Sequence, residues 1–292
     1  MTEGIKGREI TLADQKEINR LYQIYGHGDS AHAFPSLFLW KKDMGLSILM
    51  REEAYTVRCA WKGKNRWFFP CGSKAGKRTC IEELIRGGCR GLIYMNEEDA
   101  GFLEEHFPGA FHIHEALEDS EYLYDRNEMI GMPGSRYVKI RNLYHRLERE
   151  RRIEVQPIGE EDMETALEIM RQWRRNTARR EGVRDDGFMA LMTENWTALG
   201  MRGAVLKLDG KPWGITAGYA LGDGAFDCCL QQAKENISGV SEHLRKALAM
   251  MVDDGCRVIN YEEDLGIEGL RLSKTRMRPA GMKRMFGAER QG

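Results

Sequence analysis

A chain of 292 residues can form two domains of ordinary size, and its composition, 42% hydrophobic and 30% charged with a net charge of −1, is that of a globular protein with a substantial core. No apolar run is long enough to cross a bilayer and the N-terminus lacks a signal-peptide core, so we expect a cytoplasmic protein without an integral membrane segment. The seven cysteines form no CxxC pair and none alternates with histidines at zinc spacing, which predicts reduced thiols and no metal site.

The first half of the chain predicts short helices interspersed with strands. Asp14 starts a helical pattern with Ile18, Leu21 and Tyr22 on one face. The run 62–65 (Lys-Gly-Lys-Asn) predicts a hairpin turn between two strands. The predicted elements of this half are a strand over 8–11, helices from 14 and over 36–42, strands over 46–50, 55–61 and 66–70, a helix over 77–86, a strand over 91–95, a helix over 97–106, and strands near 111–114 and 121–124.

A basic helix over 136–152 leads into a second half that repeats the same order of elements. Its predicted elements are a strand over 153–157, a helix to about 180, a helix over 187–199, a hairpin over 204–208 and 213–221, a strand over 225–231, a helix over 240–252, a strand over 257–261, and a last helix and strand. Alternating strands and helices predict an α/β (α+β) protein with mixed sheets flanked by helices. The repeated order resembles two GNAT-type (acyl-CoA N-acyltransferase) domains in tandem, which we place over 1–135 and 153–292, joined by the basic helix.

Basic residues are concentrated in three regions of this nearly neutral protein: the connecting helix 136–152, the run 171–184 and the tail from Arg271 onward. Such patches on a protein without net positive charge indicate anionic partners such as phosphates or RNA. The alternative interpretation is that each run is the solvated face of a helix.

Two loops have the composition of anion-binding turns. The segment 71–78 carries Gly72, Gly76 and Lys77 between a strand and a helix, where glycines let the backbone approach a phosphate; its spacing is not that of a Walker A motif. The corresponding loop 232–239 of the second half offers Lys234, Ser238 and Gly239 before a helix. Either loop is a candidate for the phosphates of a donor such as coenzyme A, and a plain strand-to-helix turn is the alternative.

Three consecutive acids, Glu262, Glu263 and Asp264, follow the apolar strand residues at 258–259. At a strand end, Glu262 and Asp264 are expected to face one side and Glu263 the other. Clustered carboxylates raise one another's pKa, so one of them could serve as a general base near neutral pH. Arg271 and Lys274, three residues apart on the next helix, could orient the acids or bind an anionic group. The alternative is a salt-bridge network that only stabilises the turn. We expect these carboxylates to face a cavity with guanidinium and ammonium groups opposite.

The basic helix also contains a dense polar segment over 137–146. Helical spacing places Lys139 and Asn142 on one face and Arg141 on another. This mixture suits the binding of a phosphorylated ligand, and a plain connector helix is the alternative.

These segments resemble a known family. Residues 135–142 are similar to the Gly-x-x-Tyr-x-x-Lys-Arg-Asn pattern of proteins related to the C-terminal domain of lysylphosphatidylglycerol synthases, although Ile140 interrupts the Lys-Arg-Asn run. Residues 260–274 resemble the same family's Asn-x-Glu-x-Asp-Leu-Gly-Ile-x-Gly-Leu-Arg-x-x-Lys signature, and 34–40 its early aromatic segment. The resemblance extends over most of the chain, while the membrane-spanning region of full-length synthases has no counterpart in this sequence.

The resemblance implies two GNAT-like folds in tandem, related to the Fem peptidoglycan aminoacyltransferases. Characterised members of the family move an aminoacyl group from a charged tRNA to phosphatidylglycerol. By motif, the resemblance places the site in the second fold near the domain junction. The residues implied are Glu262, Asp264, Arg271 and Lys274, with Lys139, Arg141 and Asn142 at the junction.

We therefore expect an acyl- or aminoacyltransferase that uses an aminoacyl-tRNA or acyl-CoA donor and no certain cofactor. Its acceptor would be the amine or hydroxyl of a small molecule or lipid head group, and Glu262 or Asp264 would take the acceptor's proton while backbone N–H groups polarise the carbonyl. The alternatives are an acetyl-CoA-dependent N-acetyltransferase and a non-catalytic RNA- or ligand-binding protein on the same fold.

Overall fold

Two mixed β-sheets flanked by helices make up the protein in the computed structural model, which describes residues 5–61, 66–177 and 186–291. The helices are α1 (Gln15–Tyr25), α2 (Phe34–Trp40), α3 (Lys74–Arg86), α4 (Glu97–His106), α5 (Arg126–Gly131), α6 (Val138–Glu150), α7 (Met163–Thr177), α8 (Asp186–Glu194), α9 (Val240–Met251) and α10 (Glu268–Arg276). The strands are β1 (Leu46–Met50), β2 (Ala54–Cys59), β3 (Arg66–Phe68), β4 (Cys71–Gly72), β5 (Gly91–Met95), β6 (Phe111–Glu115), β7 (Glu121–Asp125), β8 (Ile153–Pro157), β9 (Arg202–Leu208), β10 (Lys211–Gly222), β11 (Ala225–Ala233), β12 (Val258–Asn260), β13 (Gly281–Lys283) and β14 (Phe286–Arg290).

The first sheet has the strand order β1-β2-β3-β5-β14-β6, with β4 also paired to β2. Its pairs are antiparallel except for β3 and β5. On one side, Leu84 of α3 and Leu103 of α4 pack with Trp67 and Leu92 of the sheet. Burying apolar side chains between helices and sheet is the main favourable contribution to such a layered fold.

The second sheet has the order β13-β7-β12-β11-β10-β9-β8, in which only β11 and β12 are parallel. Leu248 of α9 and Met129 of α5 pack against Phe226 and Ile259 on one side of this sheet. On the other side, Met170 of α7 belongs to the core cluster of β10 and β11. The residues of α9 that face the sheet recur with helical spacing, as an amphipathic pattern requires.

The two sheets exchange strands. β7, from the first half of the chain, lies between β12 and β13 of the second sheet. β14, from the C-terminal end, lies between β5 and β6 of the first sheet. The sheets therefore do not follow the predicted division into 1–135 and 153–292, because each includes a strand from the opposite half.

One continuous core connects the two halves. Its buried side chains come from α1, α2, α8, β10 and other elements of both halves, and the rings of Trp40 and Phe188 lie 4.8 Å apart. Asp43, just after α2, accepts hydrogen bonds from the backbone N–H groups of Gly187 (3.1 Å) and Phe188 (2.7 Å) in the first turn of α8. A carboxylate at this position satisfies N–H groups that a helix start leaves unpaired. The halves are thus held together by both apolar packing and helix capping.

Most predicted elements are present with ends shifted by a few residues. The predicted strand over 8–11 is reduced to a single bridge between Arg8 and Ile48, α5 was not predicted, and the tail forms two strands rather than one. The predicted turn at 62–65 and the basic residues Arg179, Arg180 and Arg184 lie outside the described residues. No helix in the described ranges is long and apolar enough to cross a membrane.

Candidate functional site

A cavity of about 310 Å³ lies where the two halves meet. Trp40, Phe68 and Tyr94 of the first half line one part of it, and Trp173 of α7 lines another. The segment that follows β12, together with β11, α9 and α10, supplies much of the polar lining, and Asp43 adds a carboxylate from the first half. A mainly apolar cavity with a few polar groups is the usual form of a small-molecule site.

Two of the three consecutive acids, Glu262 and Glu263, line this cavity. Side chains no longer alternate between the two faces of the sheet at these residues, because Glu262 adopts a left-handed backbone conformation (φ 55°). The N–H of Glu262 donates to Oδ1 of Asn260 at 2.8 Å. The prediction that Glu262 and Asp264 face the same side is therefore wrong. Glu262 and Glu263 share the cavity, and Asp264 turns away from it.

The cavity carboxyls are hard to ionise. Burial raises the pKa of Glu262 to about 7, with Lys274 opposing the shift and Glu121 adding to it. Burial and the neighbouring Glu262 raise the pKa of Glu263 to about 8, again against the effect of Lys274. Both side chains are partly accessible through the cavity, yet protein surrounds them closely enough to remove most of their hydration. Near neutral pH, Glu262 is therefore divided between its acid and base forms.

Lys274 brings a cation to the same place. Its Nζ donates to the carbonyl oxygen of Tyr261 (2.5 Å) and to that of Glu263, and its side chain lines the cavity. Burial lowers the pKa of Lys274, whereas Glu263 and Glu262 act to raise it. The ammonium group fixes the backbone of the acidic run and partly compensates the charge of the two glutamates.

Asp264 and Arg271 form a separate pair outside the cavity lining. Arg271 Nε donates to Asp264 Oδ2 at 2.7 Å and Nη2 to Oδ1 at 3.1 Å, while Tyr122 Oη donates to Oδ2 at 2.8 Å. Burial acts to raise the pKa of Asp264, but the hydrogen bonds from Arg271, Tyr122 and the Gly266 N–H outweigh it and the pKa is lowered. The carboxylate is 1% exposed and fully bonded, so its arrangement is that of a group that holds the turn.

Two more buried acids lie behind the cavity, and sequence reasoning missed both. Glu121 of β7 accepts hydrogen bonds from Ser30 N (2.7 Å) and Asn260 Nδ2 (2.7 Å). Burial is the main cause that raises the pKa of Glu121, and the charge of Asp29 is the second. Asp227 of β11 is fully buried with neither carboxyl oxygen bonded to a described residue, and burial, then Glu262, raises its pKa well above the ordinary range. A lone acid within the apolar run of β11 was the available signal for Asp227.

Arg245 of α9 is the other functional candidate that sequence reasoning missed. Its side chain is 5% exposed, lines the cavity, and contacts the rings of Tyr124 and Tyr261, with its guanidinium carbon 4.0 and 3.9 Å from their centroids. Nη2 has no hydrogen-bond partner among the described residues. The signal in the sequence was an arginine next to Leu244 on the apolar side of an amphipathic helix.

The first predicted phosphate loop is a packed helix start. Ser73 caps α3 by accepting from Gly76 N at 3.0 Å. A Cβ on Gly72 would lie 2.2 Å from the carbonyl oxygen of Glu53, so this glycine allows close packing against β2. Lys77 is buried and paired with Asp99 at 2.6 Å. The assignment of Gly72, Gly76 and Lys77 to donor phosphate is corrected accordingly, because the lysine is already neutralised and the glycines face protein.

In the second predicted loop, Gln232 lines the cavity, whereas the predicted phosphate-binding residues Lys234, Ser238 and Gly239 lie outside its lining. Lys234 Nζ is paired with Glu168 at 2.8 Å, and Ser238 is exposed. Gly239 has a φ of 98°, and a Cβ there would lie 2.7 Å from the carbonyl oxygen of Leu143 in α6. This glycine is therefore required where α6 and α9 come close together. Its role in binding a donor phosphate stays a prediction.

The polar segment of α6 does not reach the cavity. Lys139 and Asn142 are exposed on the helix surface. Arg141 donates to the carbonyl oxygens of Met132 and Gly134, the latter at 2.8 Å, and so closes the turn after α5. Lys139 and Asn142 are thus accessible to a partner, whereas Arg141 stabilises the turn after α5. Among the described residues, no group of three or more His, Cys, Asp or Glu side chains has an arrangement that could hold a metal ion.

Comparison with known families gives one match. The family model described as phosphatidylglycerol lysyltransferase, C-terminal, matches residues 22–286. No curated protein matches the sequence.

Among solved structures, a conserved protein of unknown function from Bacteroides thetaiotaomicron is similar, with a TM-score of 0.89 and 23% identity over 98% of this chain and 100% of that chain. L-PGS from Bacillus licheniformis gives a TM-score of 0.67 and 17% identity over 98% of this chain and 94% of that chain. FemX gives a TM-score of 0.63 and 10% identity over 98% of each chain. A tandem GNAT protein from the clavulanic acid biosynthesis pathway gives a TM-score of 0.52 and 9% identity over 98% of each chain. The predicted fold class, two GNAT-like folds in tandem with mixed sheets and flanking helices, is confirmed.

Proposed function

Because this chain belongs to the phosphatidylglycerol lysyltransferase C-terminal family, we propose that it is an aminoacyltransferase or acyltransferase whose reaction takes place in the cavity lined by Glu262, Glu263 and Lys274. Family and fold support a transferase of this type. The observation that carries the finer proposal is the position of Glu262 in the lining of this cavity, where burial raises its pKa to about 7.

A carboxyl group with this pKa is suited to general base catalysis. Near neutral pH a substantial fraction of Glu262 is ionised and able to accept a proton from an amine or hydroxyl acceptor, and its high pKa makes it a stronger base than an ordinary glutamate. The deprotonated acceptor attacks the carbonyl carbon of the donor ester or thioester, and the donor's alcohol or thiol leaves with the proton. Lys274 keeps the acidic segment in place through the Tyr261 and Glu263 carbonyl oxygens. We assign it a positioning role.

An aminoacyl-tRNA is the donor that the surface favours. α6 presents Lys139, Arg146 and Arg149 to solvent, and exposed basic side chains bind the phosphates of RNA with strong salt dependence. Coenzyme A is less favoured because Lys234 is paired with Glu168 and Gly239 packs against α6. An aminoacyl-tRNA donor would place the reaction in the cytoplasm, with a small molecule or a lipid head group as acceptor.

The test uses tRNA charged with a radiolabelled amino acid. The intact protein is incubated with a set of aminoacyl-tRNAs, each with a panel of amines, hydroxyl compounds and phosphatidylglycerol vesicles, and label in the acceptor is measured. For the active pair, Glu262→Gln should reduce turnover by about 10²–10⁴-fold, the usual contribution of a general base. Glu268→Gln is the matched control, because Glu268 is an exposed acid at the start of the neighbouring helix α10.

Three results would count against this proposal. Full turnover by Glu262→Gln would remove Glu262 as the base. Saturable binding of acetyl-CoA with transfer of its acetyl group would replace aminoacyl-tRNA by coenzyme A as the donor. Binding of charged and uncharged tRNA with equal affinity, without transfer to any acceptor, would favour a non-catalytic RNA-binding protein.

A further inference from the structure

Arg245 is a buried cation that forms no ion pair with a carboxylate of the described residues. Its side chain is only 5% exposed, and Nη2 lacks a hydrogen-bond partner in the same set of residues. The faces of Tyr124 and Tyr261 stabilise the positive charge, but these ring contacts leave Nη2 without a hydrogen-bond acceptor among the described residues. A buried charge with an unsatisfied donor is costly unless another group completes its bonding.

We propose that Arg245 is the anion-binding residue of the cavity and takes a carboxylate or phosphate group of the bound molecule. Arginine offers parallel N–H groups that match two oxygens of either anion. The two tyrosine rings, whose centroids lie 5.1 Å apart with 74° between their planes, contact the guanidinium on adjacent sides and limit its orientation. Because Arg245 lines the cavity and keeps 5% of its surface exposed, an anionic group there can bond to its guanidinium.

Ser241 supplies a second donor on the same helix. It lies one turn before Arg245 and also lines the cavity. Its Oγ accepts a hydrogen bond from Gln231 Nε2 at 2.8 Å, and Tyr261 Oη donates to Oε1 of the same glutamine at 3.1 Å. This chain of bonds leaves the hydroxyl proton of Ser241 available, so a serine O–H and a guanidinium serve the same part of the cavity.

Acids and the guanidinium occur together in this cavity, which indicates an amphoteric ligand. Glu262 directly follows Tyr261, on whose ring Arg245 lies. A molecule that carries both an amino group and an anionic group can place the amino group near Glu262 and Glu263 and the anion at Arg245. The anion can be the free carboxylate of an amino acid or a phosphate of a nucleotide. The proposal concerns only the binding of an anion at Arg245, so it does not depend on the transfer reaction.

The experiment measures binding by the intrinsic fluorescence of the cavity tryptophans Trp40, Trp61 and Trp173 and by calorimetry. The probes are acetate, inorganic phosphate, β-alanine and β-alaninamide. We expect saturable binding of at least one of the two bare anions, and tighter binding of β-alanine than of its amide. Arg245→Gln should weaken anion binding at least about tenfold, because the loss of a single hydrogen bond to a charged group already lowers the affinity by about that factor. Arg245→Lys should weaken it to a lesser extent, because the charge remains but the fork is lost.

Lys246→Gln is the matched control, because it removes one positive charge from the next position of α9, where Lys246 lies over the Tyr144 ring outside the cavity lining. The proposal is overturned if the wild type binds none of the probes saturably, if Arg245→Gln binds as the wild type does, or if Lys246→Gln weakens binding equally. Urea midpoints establish that the variants are folded; if Arg245→Gln is not, Arg245→Lys and Ser241→Ala carry the test. Response to acetate without phosphate identifies a carboxylate subsite, and the reverse identifies a phosphate subsite.

Discussion

Replacing Glu263 by glutamine should change how the stability of the protein depends on pH. In the folded protein the Glu263 carboxyl has a pKa of about 8 against an ordinary value of 4.5, mainly because of burial. Between these two pH values the folded state holds a proton that the unfolded chain has released. The stabilisation from this group is therefore complete below about pH 4.5 and is lost as the pH rises to about 8.

The size of the effect follows from the same two values. Each pKa unit corresponds to about 1.4 kcal/mol, so the difference sets an upper limit of about 5 kcal/mol for the cost of ionising Glu263 in the folded state. Lys274 loses a compensating charge when Glu263 becomes neutral, which reduces the benefit of the substitution. We expect Glu263→Gln to be about 2–3 kcal/mol more stable than wild type at pH 9 and nearly equal to it at pH 5.

Urea unfolding followed by tryptophan fluorescence at pH 5, 7 and 9 measures this difference. Glu268→Gln, at an exposed position of α10, should follow the wild type at every pH. If the free energy of unfolding of Glu263→Gln runs parallel to that of the wild type from pH 5 to 9, then Glu263 ionises in the folded protein without cost. The claim that burial raises the pKa of this carboxyl is then refuted.

Two further substitutions test residues to which the structure gives supporting roles. Asp264→Asn should lower the free energy of unfolding at pH 7 by about 1–3 kcal/mol, because it weakens the bonds from Arg271 and Tyr122; an unchanged urea midpoint would show that this pair does not stabilise the turn. Lys77→Met should cost about 3–5 kcal/mol by leaving Asp99 buried without its partner, while the anion titrations of the cavity should be unaffected; a loss of anion binding in a folded Lys77→Met protein would restore the 71–78 loop as a ligand site.

Local patterns in the sequence predicted most of the elements, because spacing along one element is a local property. Ile18, Leu21 and Tyr22 are buried on one face of α1, as their spacing requires. The acidic run was found at the end of β12, and two of its members line the cavity. The prediction that Glu262 and Asp264 face the same side was wrong, because the backbone of Glu262 leaves the strand conformation. Side chains beyond that point no longer alternate with a period of two.

The glycines of the 71–78 loop led to a wrong prediction, because glycines occur both where the backbone approaches a ligand and where it packs against another strand. Gly72 and Gly76 suggested a loop that approaches a phosphate, but each faces the backbone around Glu53, where a Cβ would collide. Sequence alone does not distinguish close approach to a ligand from close approach to another strand. Arg245 and Glu121 were missed because their significance depends on neighbours far along the chain: Tyr261 for Arg245 and Asn260 for Glu121.

The strand exchange explains why the cavity depends on both halves. β7 comes from the first half but lies beside β12 in the second sheet. From this strand Tyr122 binds Asp264, Tyr124 stacks on Arg245, and Glu121 binds Asn260. Tyr124 Oη also donates to the carbonyl oxygen of Lys274 at 2.7 Å. The second half therefore supplies the acids of the 262–263 run together with Arg245 and Lys274, and a strand of the first half holds these groups in position. The cavity is therefore shared by the two halves, even though each half has a similar fold.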